Sequence, residues 1–189
     1  MIRQATGIES TTVVDILTEA FTDDPLVGWL FPEPAGRAQL QARFYYFQLA
    51  DPAAEAYLIG GNQGASLWKA TNAATDASAP AVDLEAVFGA AGDRLRALGQ
   101  ALARVRPAQQ HLYLSCMGVV GDRRGAGLGS TLLRHRLDRA NVAAYLEASS
   151  PRSRALYLRH GFEDLGAPVQ VADSPLLWPM WHPATKENN

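Results

Sequence analysis

The stretch "GDRRGAGLGS", residues 121 to 130, constrains this 189-residue chain more than any other. Gly125, Gly127 and Gly129 follow an apolar run and precede a helix-like one. Glycine has no Cβ, so it permits unusual φ/ψ and lets the backbone approach another molecule closely. Two readings follow. One is a sharp strand-to-helix turn. The other is a helix start whose unpaired N–H groups and partial positive charge hold a phosphate. No Gly-Lys-Ser/Thr follows, so the stretch is not a P-loop. The G-x-G-x-x-G spacing of a dinucleotide fingerprint is also absent.

The surrounding pattern is that of an α/β chain. Val13, Ile16, Leu17, Ala20 and Phe21 predict an amphipathic helix over 11–21, with Thr12 and Asp15 as a capping box. "TDDPLVGWLFPEP" breaks that pattern at Pro25, and Asp23 and Asp24 read as loop or cap residues. A second helix is expected over 35–50. "AEAYLIGGNQGASLWKA" reads as two strands around a Gly-rich hairpin, and "TNAATDASAPAVD" as a mobile loop. A glycine-interrupted helix over 84–106 has Leu95, Leu98, Leu102 and Val105 on its apolar face and its arginines on a solvated one. "HLYLSCMGVV" is apolar on both faces, as a central strand is. Then come the glycine turn, a helix over 127–140, the strand "VAAYLEAS", and a helix with Ser150 as N-cap, Pro151 in its first turn and Gly161 as C-cap. "FEDLGAPVQV" and "LLWPMWHP" read as closing strands.

Composition narrows the function classes. Hydrophobic residues make up 48% of the chain and charged ones 19%, enough for a sizeable core. A net charge of -2 argues against a nucleic-acid partner, which calls for a basic face. The lone Cys116 excludes an intramolecular disulfide. "MIRQATGIESTTVV" lacks the apolar core of a signal peptide, and no run is long enough to span a bilayer. One cytoplasmic domain over 1–189, monomeric or homodimeric, without a membrane partner or metal site, is expected.

Arg124-Gly125-Ala126-Gly127-Leu128-Gly129 resembles the R/Q-x-x-G-x-G/A signature of the GNAT superfamily of N-acetyltransferases. "LYLRHGF", residues 156 to 162, resembles the L-Y-x-x-x-G-F segment of the same family. The resemblance is specific from about residue 111 to 165. "AFTDDPLVGWLFP" and "LEASSPRSRALYLRHGF" further resemble the subgroup around puromycin N-acetyltransferase.

The resemblance implies a mixed sheet splayed between "HLYLSCMGVV" and "AAYLEAS", with acetyl-CoA in the splay. The pyrophosphate is then expected on N–H groups of Gly125, Ala126, Gly127, Leu128, Gly129 and Ser130. Arg124 faces phosphate or caps the turn, and main-chain groups of Met117 and Val119 pair with the pantetheine arm. A neutral amine attacks the thioester, so an alkylamine of pKa ~10.4 must first lose a proton. Tyr157 stands where the family places its tyrosine general acid; its bland reading is a packed aromatic. Tyr113 occupies the position where some members carry a glutamate base. Glu147 is the candidate for base or acceptor contact, because a carboxylate in an apolar strand is costly unless paired. His111, at a strand start and read as exposed, and Ser115 are weaker candidates, and Cys116 reads as a core residue. Trp29, Phe31, Phe44, Tyr45, Trp68, Trp178 and Trp181 are candidates for an acceptor pocket. The expected function is transfer of acetyl from acetyl-CoA to a small-molecule primary amine. The alternatives are a peptide or protein N-acetyltransferase and a non-catalytic acyl-CoA sensor.

Overall fold

The computed structural model describes residues 1–71 and 82–184. Most of the segment read as a mobile loop, residues 72–81, lies outside them. A mixed sheet of seven strands forms the centre of the fold, in the order β1-β2-β3-β4-β5-β7-β6. The strands are β1 Ile2–Gln4, β2 Ala54–Ile59, β3 Gly64–Thr71, β4 His111–Val119, β5 Ala143–Ala148, β6 Glu163–Asp164 and β7 Trp178–His182. The helices are α1 Ser10–Ala20, α2 Pro25–Leu30, α3 Arg37–Leu49, α4 Leu84–Phe88, α5 Gly92–Ala103, α6 Leu128–Leu137 and α7 Pro151–Leu158. No helix among the described residues is long and apolar enough to cross a membrane.

Every strand pair is antiparallel except β4 with β5. That parallel pairing is short: His111↔Ala143, Leu112↔Ala144 and Tyr113↔Tyr145. Beyond it the two strands part, while β4 stays on β3 as far as Val119 and β5 stays on β7 as far as Ala148. The cause is local. The β3–β4 register passes from Trp68↔Leu114 to Leu67↔Cys116 and leaves Ser115 as an extra residue on β4. Such a bulge bends the strand that carries it. It sits just past the last residue of β4 that pairs with β5, so β4 leans away and the splay opens.

Helices cover both faces. Val13, Leu17 and Tyr45 of α1 and α3 pack with Leu58 and Leu67 on one side. Leu133 and Leu137 of α6 and Tyr157 of α7 pack with Trp68, Leu112 and Leu114 on the other. A third cluster joins α2 to α4 and α5 through Leu30, Phe31, Phe88 and Leu98.

Four expectations change. The carboxylate that receives a backbone N–H ahead of α1 is Glu9, from Thr6 at 3.0 Å, rather than Asp15. Pro25 begins a helix instead of breaking one, because Asp24 caps it and proline suits the first turn. The helix expected over 84–106 is two, separated at Gly89, whose φ of +58° lies in the left-handed region. Of the closing strands, "FEDLGAPVQV" forms only the two-residue β6 and a bridge from Val169 to Leu177.

Candidate active site

The splay and the loops around it enclose two cavities. The first, about 530 Å³, is a cleft between the end of β4, the glycine turn, α7 and the chain after α1. Gly125 and Gly127 have φ of +84° and +79°, and neither has a neighbour within 4 Å of where a Cβ would stand. Backbone conformation therefore demands both glycines, whatever the cleft holds. Gly127 is the N-cap of α6 and its carbonyl accepts from Thr131 at 3.0 Å. The N–H groups of Leu128, Gly129 and Ser130 precede that bond, so they are helix-start donors at the cleft. Gly129 differs from its two neighbours: it is helical, and a Cβ there would lie 3.6 Å from Leu156 and 3.9 Å from Met117, ordinary contacts.

The cleft is basic. Arg123, Arg124, Arg152 and Arg159 line it against Asp23 and Asp24. Nothing in the local sequence marks Arg123, Arg152 and Arg159 as cleft residues; only the fold brings α7 opposite the turn. Arg124 ties the turn down, donating from Nε to Val119 O at 3.3 Å and from Nη2 to Ala20 O at 2.6 Å. These bonds are those of a cap, and Arg124 lines the cleft as well. Met117, Val119, Gly125, Gly127, Leu128, Gly129 and Ser130 also line the cleft, whereas Ala126 is exposed on the outside of the turn.

The second cavity, about 420 Å³, lies deeper, between the sheet and the α2–α5 layer. Its walls are largely aromatic and aliphatic, among them Phe31, Phe44, Tyr45 and Phe88. Trp29, Trp68, Trp178 and Trp181 are not on that wall; Trp68 is core, with no exposed surface. Its polar residues include Glu147, whose side chain is 5% exposed. Tyr113 donates to Glu147 Oε2 at 2.8 Å, and Arg106 Nη2 lies 3.4 Å from Oε1. The Arg106 guanidinium stacks 4.3 Å over the Tyr113 ring. This answers the cost of a carboxylate in an apolar strand. Arg106 itself departs from the expectation that the arginines of its segment are solvated. It lies just past α5, where the chain turns back toward β4.

Tyr157 also lines this cavity, one helical turn beyond Ser153 on α7. Burial holds the pKa of its phenol well above the ordinary value of 10.0. Ser115 bonds to Leu67 O at 3.3 Å. Cys116 packs in the core under α1 and burial pushes its thiol up to about 12, so it stays protonated. His111 is 1% exposed, contrary to expectation, with its ring nitrogens 2.7 Å from Gln109 O and 2.9 Å from Thr71 Oγ1. It starts a central strand, and its ring packs edge-on against Tyr145 and Trp181 at 5.5 and 5.7 Å between centroids.

The two cavities meet. Phe21, Asp24, Met117, Ser149 and Ser153 line both. Asp24 stands at this junction. Its Oδ1 accepts from Leu26 N at 2.9 Å and Val27 N at 3.3 Å, capping α2, and Ser149 Oγ donates to Oδ2 at 3.4 Å. Burial raises its pKa against these lowering bonds.

A model described as the acetyltransferase (GNAT) family matches residues 66–162, more than half of the chain. The chain belongs to the GNAT acetyltransferase family. Among solved structures, this GNAT chain is 28% identical to a Corynebacterium glutamicum protein described as histone acetyltransferase HPA2 and related acetyltransferase. The TM-score is 0.76, over 100% of this chain and 98% of that one. An Aedes aegypti arylalkylamine N-acetyltransferase 2 is 11% identical with a TM-score of 0.64, over 96% of each chain. The Escherichia coli ribosomal-protein-S18-alanine N-acetyltransferase is 16% identical with a TM-score of 0.55, over 100% of this chain and 97% of that one. These last two likenesses are of fold. The splayed mixed sheet is thus the GNAT fold that the resemblance implies.

Proposed function

We propose that this GNAT domain transfers an acetyl group from acetyl-CoA to a primary amine of a small molecule. The observation that carries this is the junction: a basic cleft with helix-start donors opens, at Asp24, Met117 and Ser149, into a separate apolar cavity. A diphosphate suits the cleft by charge and by its free N–H groups. The second cavity, walled by Phe31, Phe44, Tyr45 and Phe88, suits a small acceptor with an apolar body. The similarity of "AFTDDPLVGWLFP" to the puromycin N-acetyltransferase subgroup supports the same choice.

The chain's residues then divide the chemistry. The acceptor arrives as an ammonium and must lose a proton before its nitrogen can attack the thioester carbonyl. Asp24 receives that proton in this reading. It is the carboxylate at the junction, and burial makes it more basic than an exposed aspartate. Glu147 is anchored by Tyr113 and Arg106 and holds Arg106 at the acceptor end of the cavity rather than acting as base. Main-chain N–H groups along Met117 to Val119 face the developing oxyanion. As the carbon–sulfur bond breaks, the thiolate takes a proton from Tyr157, which its buried site keeps protonated, and the second proton leaving the acylated nitrogen restores the phenol.

A panel of primary amines with acetyl-CoA, read by thiol release, tests the proposal. Turnover of small amines is expected. Turnover confined to peptide N-termini or lysines, or acetyl-CoA binding with no thiol release from any amine, overturns it.

A further inference from the structure

The acceptor cavity has polar groups at two separate places. At its mouth stands Asp24, with Ser149 3.4 Å from Oδ2. Two residues earlier on β5 stands Glu147 with Arg106. Lys69 also faces this end but is tied to Asp51 at 2.5 Å.

Arg106 is underused. A guanidinium carries five N–H donors. Within the described residues only Nη2 has an acceptor, Glu147 at 3.4 Å, which is long beside the roughly 2.7–2.9 Å of a charge-assisted bond. Nε is buried with no partner. Yet the group is held in place: it stacks on Tyr113, and its backbone N–H bonds to Leu102 O at 3.1 Å. A fixed cation with unfilled donors on a cavity wall is arranged to receive an anion, and its fork matches a carboxylate.

We propose that the acceptor is an ω-amino acid, with its ammonium at Asp24 and its carboxylate on Arg106, a conclusion that rests on the acceptor assignment above. The spacing sets the length. Ser149 and Glu147 are about 6.6 Å apart along the strand, at roughly 3.3 Å per residue. A ligand whose ammonium lies beside Ser149 and whose carboxylate lies beside Glu147's partner Arg106 therefore spans on the order of 6–7 Å. An α-amino acid places its nitrogen and carboxyl carbon only about 2.5 Å apart and cannot reach both. An extended chain advances about 1.2 Å per bond, so about six bonds are needed. 6-Aminohexanoate has that length, and its methylenes meet the apolar wall of Phe31, Phe44 and Phe88.

Calorimetric titration of the CoA-bound protein with 6-aminohexanoate, its methyl ester, hexylamine and glycine reads this without turnover. The amino acid is expected to bind about 10–100-fold more tightly than hexylamine or the ester, the size of one charge-assisted interaction. Glycine should bind no better than hexylamine. In Arg106→Gln the ratio of amino acid to hexylamine affinity should fall to about one. Arg106→Lys keeps the charge beside Glu147 but loses the fork, and should show an intermediate ratio if the Gln variant does not fold. Equal affinities in the wild type overturn the proposal. So does an Arg106 variant that weakens both ligands and leaves their ratio unchanged, since that is a purely structural role. Arg106-dependent binding of the amino acid with no thiol release from any amine would leave this inference standing and remove the acetyltransfer reading. Thiol release with no preference for the carboxylate would do the reverse.

Discussion

The phenol of Tyr113 donates a 2.8 Å hydrogen bond to Oε2 of Glu147, across the point where β4 and β5 part. Tyr113 is the last β4 residue that pairs with β5, and Glu147 lies two residues beyond its partner Tyr145. The bond thus spans the splay where main-chain bonds no longer can. Burial and the neighbouring carboxylate hold the phenol pKa well above its ordinary value, so Tyr113 remains a donor.

Tyr113→Phe should therefore destabilise the fold by roughly 1.5–3 kcal/mol, the range for a hydrogen bond to a charged group. The ring and its stacking with Arg106 survive the change. Urea unfolding measures the difference. A midpoint shift near zero with an unchanged slope would show that the bond does not brace the splay.

The glycine turn gives a paired prediction. Gly127→Ala puts a Cβ on a residue with φ of +79° and should cost about 1–2 kcal/mol in the absence of any ligand. Loss of CoA binding in that variant would not separate strain from collision. Gly129→Ala does. Its helical backbone accepts alanine with a gain of up to about 1 kcal/mol. Its Cβ projects beside Leu156 and Met117, which line the cleft. Thermal unfolding should show Gly129→Ala at least as stable as the wild type, while titration with CoA shows weaker binding. Unchanged CoA affinity would remove Gly129 from the cradle.

Asp24 trades stability for basicity. Its carboxyl pKa is raised in the folded protein above the ordinary 3.8. Between those two values the folded state binds more protons than the unfolded one, so stability falls as pH rises through the window. Above the window the charged carboxylate is a standing cost. Asp24→Asn keeps a side-chain oxygen for the α2 cap. It should be more stable than the wild type at neutral pH, with the advantage shrinking as pH falls toward 3.8. Its kcat should drop by at least about 100-fold, as for loss of a general base. Denaturation and kinetics across pH check both halves. A stable Asn variant with near-wild-type kcat would exclude Asp24 as the proton acceptor.

How far these residues were legible in the sequence depends on how local their causes are. The glycine turn, the Ser150-Pro151 start of α7 and the β4 and β5 strands rest on neighbours within a few positions, and each was readable. Asp24 was readable as a cap. Its place at the junction was not, because Ser149 lies 125 positions away and only the fold brings the two together. Arg106 looks like a solvated arginine for the same reason: its partner Glu147 is 41 positions on. The Ser115 bulge has no signature in "LYLSCMG", since its extra residue is defined only by the register of β3. The aromatic pocket was half legible. Phe31, Phe44 and Tyr45 line it, but Trp68, Trp178 and Trp181 lie on strands of the sheet, and Trp29 on α2 donates to Asp173 instead.

Tyr157 offers a test in which pH and mutation must agree. Burial raises its pKa well above 10.0, so it stays a proton donor throughout the range in which an amine becomes neutral. The wild-type rate should accordingly rise with pH as the amine deprotonates and show no alkaline decline from Tyr157 below about pH 10. Tyr157→Phe keeps the ring against Phe162, 5.7 Å away between centroids, and removes only the hydroxyl. If the hydroxyl protonates the departing thiolate, kcat should fall by about 10²–10⁴-fold with little change in KM for acetyl-CoA. If it only anchors the sulfur, KM should rise and kcat hold. An acyl donor with a more acidic thiol needs less help in leaving, so it should recover much of the lost rate in the Phe variant. Steady-state kinetics with both donors, after circular dichroism confirms folding, separates the cases: a kcat defect that the better leaving group does not relieve places the lost proton transfer elsewhere than on the thiolate.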